Sequence, residues 1–166
     1  LLSLNNIKGD YAEFGCFGGK TFSFAYQEAK RHNHPAYLWA FDSFEGLPKA
    51  QDNKDIHPCW SEGIMKCTID EFKNICKENK IPSKKYNIIP GFYNKTLQNE
   101  SKELPNDISL AYIDCDLYSS TKDVLDFLVP RLKHGMIIAF DDYFMYSDKQ
   151  LSGNRQAMLE CFKNNQ

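Results

Sequence analysis

The chain has 166 residues, enough for one domain around a single core, and its 20 Lys and Arg against 22 Asp and Glu leave a net charge of -2. So even a balance sets up no broad field to attract nucleic acid or an anionic membrane, and no apolar run approaches the ~20 residues that span a bilayer. The first residues lack the charged start and small-residue cleavage site of a signal peptide, so the chain reads as cytoplasmic.

In chain order, DYAEFG (10–15) is a short strand that stops at glycine, and KTFSFAYQEAKRHN (20–33) repeats Phe22, Ala25, Tyr26 and Ala29 at helical spacing. AYLWAF (36–41) is an apolar strand ending at Asp42, followed by the turn-rich DSFEGLPKAQDN. In TIDEFKNICKENK (68–80), Thr68 is the expected N-cap, with Glu71 completing a capping box. YNIIPG (86–91) is a third strand, and NKTLQNESKEL (94–104) a short helix or loop. ISLAYID (108–114) is a fourth strand. STKDVLDFLVPRLKHG (120–135) reads as a helix with Lys133 and His134 in its last turn and Gly135 as its C-cap, before a fifth strand in MIIAFD (136–141) and a last helix in NRQAMLECFKNN (154–165). Strands alternating with helices imply right-handed crossovers and a mostly parallel sheet with helices on both faces, an α/β domain covering 1–166.

Six cysteines are scattered without a CxxC pair, which suggests reduced thiols packed as small hydrophobes. His57, Cys59, Cys67 and Cys76 lack the spacing of a zinc site.

In parallel α/β sheets ligands collect at the carboxyl ends of the strands, near the point where strand order reverses. The unusual residues of this chain lie at such ends. EFGCFGG (13–19) offers Gly15, Gly18 and Gly19 for close backbone approach at a helix start, without the GK[ST] ending of a phosphate loop. Asp42, about twenty residues past that turn, stands where an acid would bind the two hydroxyls of a ribose, or where a turn aspartate would cap. These two features do not separate a nicotinamide cofactor from an adenosyl one. Asp114, Asp141 and Asp142, at the ends of the fourth and fifth strands, do separate them, since they would converge if those strands are neighbours. Three carboxylates without cationic partners repel and resist desolvation unless a cation sits among them, and hard oxygen ligands select Mg²⁺, or Mn²⁺ or Ca²⁺, over zinc. Hydride transfer has no need of such a cluster, whereas transfer of a methyl group to oxygen benefits from a metal that lowers a hydroxyl's pKa.

YAEFGCFGGKTF, WAFDSFEGLP, HPCWSEG and above all DISLAYIDCDLYSSTKDVLDFLVPRLKHGMIIAFDDYF resemble the TylF/MycF family of macrocin-type sugar O-methyltransferases, over residues 8 to 162 and most strongly between 107 and 144. The resemblance implies a Rossmann-like class I methyltransferase fold, S-adenosylmethionine and Mg²⁺ as cofactors, and a sugar or glycosylated small molecule as acceptor, with a homo-oligomer compatible. By it, Glu13, Phe14, Gly15, Gly18 and Gly19 would hold the methionine end of the cofactor, with Thr21 among the cofactor-side residues. Asp42 would hold the ribose with Ser43 nearby, and Gly91 and Phe92 would flank the adenine. Asp114 would serve both cofactor and metal, joined at the metal by Asp141 and Asp142. Asp114, Asp116 and His57 are the catalytic candidates, Asp116 as base or outer partner of the metal and His57 in a loop over the substrate. Trp60, Tyr118 and Tyr143 are candidates for a sugar pocket, or for core and rim. Relatives of this fold continue into a final antiparallel strand pair and carry extra helices before the first strand, so the chain is expected to lack both.

Two rivals remain open at this point. YIDCD also resembles the Asp-x-Asp segment of metal-dependent glycosyltransferases, which have no need of the glycine turn or of the second acidic pair. A catalytically silent binding domain could keep the fold and lose the chemistry.

Overall fold

The computed structural model describes residues 1–98, 103–145, 151 and 153–164. Five strands form one sheet, β1 (Asp10–Phe14), β2 (Leu38–Asp42), β3 (Tyr86–Pro90), β4 (Ile108–Ile113) and β5 (Ile137–Phe140), in the order β3-β2-β1-β4-β5. Every pairing is parallel. The direction of winding reverses between β1 and β4, so the crevice of a doubly wound sheet opens at their carboxyl ends.

Burial on both faces explains why the central strands read as unbroken apolar runs rather than alternating ones. β2 is LWAFD, buried at every position. On one face Tyr11, Leu38 and Ala40 pack with Phe22 of α1 (Lys20–Arg31) and with Phe72 and Cys76 of α2 (Ile69–Glu78). On the other, Phe14, Phe41, Ala111 and Ile113 pack with Val124, Leu125 and Leu128 of a later helix and with Ala157 of the last. Between β3 and β4 lies a single turn of helix, α3 (Tyr93–Thr96). The expected element at 94–104 therefore starts as a helix, and its residues 99–102 lie outside the described residues.

Local signals set the helix ends. Thr68 accepts from the Glu71 backbone N–H while the Glu71 carboxylate takes the Thr68 N–H, so both halves of the expected capping box form. The helix expected over 120–135 instead starts at Tyr118 and ends at Leu128, as α4, and continues only as a 3₁₀ turn at Val129–Arg131. Pro130 is the physical reason: it has no N–H to donate, and its ring clashes with the carbonyl four residues back. Lys133, His134 and Gly135 thus lie in the loop before β5 and cap nothing. The final helix, α5 (Gly153–Asn164), packs on α4; a Cβ at Gly153 would come within 2.9 Å of the Asp116 carbonyl oxygen. Among the described residues, no helix is long and apolar enough to cross a membrane.

Candidate active site

The glycine turn after β1 is shaped first by the protein itself. Gly15 has φ +92°, and a Cβ there would lie 1.8 Å from the Asp114 carbonyl oxygen. Only glycine lets the ends of β1 and β4 come this close. The backbone then turns through Cys16 and Phe17 into Gly19, the left-handed N-cap of α1.

Asp42 holds that turn in place. Its Oδ2 accepts the backbone N–H groups of Cys16 (2.7 Å) and Phe17 (3.1 Å), and its Oδ1 that of Phe44 (2.7 Å). A carboxylate has about four lone-pair sites, so roughly one remains for a ligand hydroxyl. The structure thus shows Asp42 as a turn anchor, with little acceptor capacity left over.

A cleft of about 340 Å³ opens beside these groups, lined by Gly15, Phe17, Asp42 and Ser43, by Phe92 and Tyr93, and by Asp114 and Asp116. The strand-end acids share a parity. Glu13 is registered with both Ala40 and Tyr112, and Tyr112 with Ala139. Two residues further along each strand, on the same face, stand Gly15, Asp42, Asp114 and Asp141.

Asp114, Asp141 and Asp142 each offer a carboxylate oxygen, and the three atoms lie within 4.8 Å of one another. At that spacing each pair of full charges repels by roughly 3 kcal/mol or more at an effective dielectric of about 20. Burial pushes the Asp114 carboxyl up to about 7, with Asp141, Asp142 and Asp42 adding to the rise. Asp142 and Asp116, within reach of each other, are both raised, in each case chiefly by desolvation. The Oδ2 of Asp142 is buried with no hydrogen-bond partner among the described residues. Hard oxygen donors, mutual repulsion and an orphaned buried acceptor fit a divalent cation such as Mg²⁺.

Behind this rim Glu13 is almost wholly buried, and the Tyr11 hydroxyl donates to its carboxyl. Burial pushes that carboxyl up to about 8, with the nearby Asp114 and Asp42 contributing.

A second cleft of about 170 Å³ adjoins the first and shares the strip Leu47 to Ala50 as a wall. His57 and Trp60 line it, their rings 4.5 Å apart. The strip is fastened at one end: Leu47 N–H donates to the Ile64 carbonyl and Gly63 N–H to that of Leu47, both at 2.9 Å, and no Cβ fits at Gly46 against Gly63. At the other end Asp55 is buried. It accepts the N–H groups of Gln51 (2.8 Å) and Asp52 (3.0 Å) on one oxygen and that of Ser119, in the first turn of α4, on the other (2.8 Å). The first residue before α4, Leu117, has no capping side chain, so Asp55 caps the helix from a distance of 64 residues. Next to it Lys54 pairs with Glu160 of α5 at 3.2 Å and lies over the Tyr118 ring, whose hydroxyl donates to the same carboxylate at 2.6 Å. Asp55 and Lys54 escape a reading of sequence because nothing in their polar surroundings distinguishes them from surface charge.

Of the residues singled out above, the first cleft brings together Gly15, Asp42, Ser43, Phe92, Asp114 and Asp116. Phe14 lies wholly in the core, stacked on Phe41 at 4.7 Å, and Phe17 occupies the cleft wall. Gly18 faces open space, and Gly19 and Thr21 belong to the start of α1 away from the cleft lining. Gly91 sits in a shallow depression on the outer side of Ser43. His57 lies in the second cleft, close enough to Asp142 to favour its charged form. Tyr118 is buried beneath that loop, and Tyr143 packs between Phe140 and Phe144.

The family model for macrocin-O-methyltransferase (TylF) matches residues 2–165. The chain belongs to this family. Curated relatives include a tetracenomycin-C rhamnosyl 4'-O-methyltransferase from Streptomyces olivaceus, 26% identical over 147 residues, or 84% of this chain and 54% of the relative. Mycinamicin III 3''-O-methyltransferase from Micromonospora griseorubida is 26% identical over 149 residues, 84% of this chain and 57% of that one. The chain thus spans about half the length of the curated relatives it matches. Among solved structures, the O-methyltransferase NovP superposes with a TM-score of 0.81 at 21% identity, covering 99% of this chain and 66% of NovP. The calicheamicin methyltransferase CalS11 superposes at 0.77 with 23% identity, covering 95% and 65%. At these identities the likeness establishes the fold, a class I methyltransferase sheet.

Proposed function

We propose that the 166 residues form one S-adenosylmethionine-dependent methyltransferase domain, which methylates a hydroxyl of a sugar or glycosylated small molecule with a divalent cation, Mg²⁺, at Asp114, Asp141 and Asp142. The observation that carries this reading is the meeting of three carboxylates, one of which, Asp114, lines the same cleft as Gly15 and Asp42. Family membership supports a methyltransferase over a glycosyltransferase, and relatives named for O-methylation of a rhamnosyl-tetracenomycin and of mycinamicin III support the acceptor class. No disulfide joins the cysteines of the described residues, which fits a reducing, cytoplasmic setting.

In this reading Gly15, Phe17 and Asp42 receive the cofactor at the first cleft, and Phe92 and Tyr93 supply apolar surface for a flat ring. Trp60 and His57 offer an aromatic wall for the acceptor in the second cleft. When bound, the cation would lower the pKa of an acceptor hydroxyl and orient it. Asp116 stands in the cleft beside the metal ligands, and its carboxylate is the group best placed to take the hydroxyl proton; His57 reaches the same end from the other cleft. Walls that exclude water and fix both reactants supply the rest of the rate through proximity.

Calorimetry with S-adenosylhomocysteine, with and without Mg²⁺, followed by a methyl-transfer screen on sugar acceptors, tests the proposal. Asp141→Ala should abolish turnover and leave affinity for S-adenosylhomocysteine within about threefold, because Asp141 is not among the residues that line the first cleft; normal turnover in the variant would refute the metal assignment.

A further inference from the structure

Of the three acids at the metal rim, Asp141 is the most exposed, at the end of an edge strand. Its backbone is fixed, with its N–H donating to the Ile113 carbonyl at 3.0 Å. Its side chain has one hydrogen bond among the described residues: the Tyr112 hydroxyl donates to Oδ1. Tyr112 is well anchored for this task. It lies on β4, between β1 and β5, opposite Glu13 on one side and Ala139 on the other. Its ring packs against the core on the α1 and α2 face. Small Ala139 leaves the ring free to lean along the sheet toward the residue two further on, the diagonal neighbour that a long aromatic side chain reaches.

We propose that Tyr112 is a positioning residue, holding the Asp141 carboxylate in the orientation that a divalent cation requires at the strand ends. This rests on the metal reading above. The phenol takes one lone pair of one oxygen, and the carboxylate keeps the others for the ion. An exposed aspartate that would otherwise sample several rotamers is thereby restricted to one. Groups that orient a ligand in this way typically alter metal affinity by 10- to 100-fold when removed.

The test is titration of the ligand-free protein with Mn²⁺, followed by calorimetry and by the spin-resonance signal of the bound ion. Tyr112→Phe removes one hydroxyl and little else, and is expected to weaken Mn²⁺ binding about 10- to 100-fold. The thermal midpoint in chelator and the affinity for S-adenosylhomocysteine without metal should be unchanged. Tyr11→Phe is the matched control, since it removes a hydroxyl donated to Glu13 on the same face of the sheet; it should leave Mn²⁺ affinity within about twofold. Unchanged Mn²⁺ affinity in Tyr112→Phe, or equal losses in both variants, would overturn the role of Tyr112 and leave the metal site standing. A wild-type protein that binds no Mn²⁺ would overturn both.

Discussion

Glu13 shows how a single side chain can record the character of a site. Its carboxyl is raised by burial to about 8, so the folded protein keeps a proton through a range in which the unfolded chain, near 4.5, has lost it. The native state then binds more protons, and stability falls as pH rises from about 4.5 to about 8. Glu13→Gln is neutral at every pH and should lack this slope. In urea denaturation without metal, wild type should lose roughly 2–4 kcal/mol relative to the variant between pH 5 and pH 8; parallel stability curves would contradict the buried-acid account. The acid itself is legible in EFGCFGG, and so is the glycine turn. What the sequence does not disclose is that Gly15 answers to the Asp114 backbone, or that Asp42 spends most of its acceptor capacity on the same turn. Both facts depend on contacts made only when distant strands align.

At the scale of elements, the loop from Leu47 to Trp60 is held by long-range contacts rather than by its own conformational preference. Asp55 is its anchor. Asp55→Ala would leave three backbone donors without an acceptor, at a cost of about 1–3 kcal/mol, while Asp55→Asn keeps one acceptor oxygen and should lose less. Chemical denaturation should rank the three proteins in that order, and the alanine variant should raise the acceptor KM more than it weakens cofactor affinity; equal stability of wild type and alanine variant would remove Asp55 as the cap of α4. The strands, α1 and α2 can be read in advance because their signals are local: apolar runs, helical spacing and the Thr68 box. α4 could have been read better from the same kind of signal, since Pro130 marks its end. The cap at Asp55 could not, as its partner Ser119 lies in another part of the chain.

For the whole molecule, the sheet order places the glycine turn and Asp42 on one side of the reversal and Asp114, Asp141 and Asp142 on the other. Charge is close to balanced overall yet concentrated at the strand ends, where Glu13, Asp42, Asp114, Asp116, Asp141 and Asp142 gather and His57 offsets part of the charge at Asp142. An ion that binds the folded state alone raises stability with the logarithm of its concentration. Mg²⁺ at about 100 times its dissociation constant should add roughly 2.7 kcal/mol, seen as a higher thermal midpoint that chelator reverses and Asp141→Ala abolishes; an identical midpoint with and without the ion would oppose the cation site.

The strip from Leu47 to Ala50 faces both clefts at once. Tied to Gly63 at one end and to Asp55 at the other, it is a wall common to both, so a bulkier side chain placed there would take room from each.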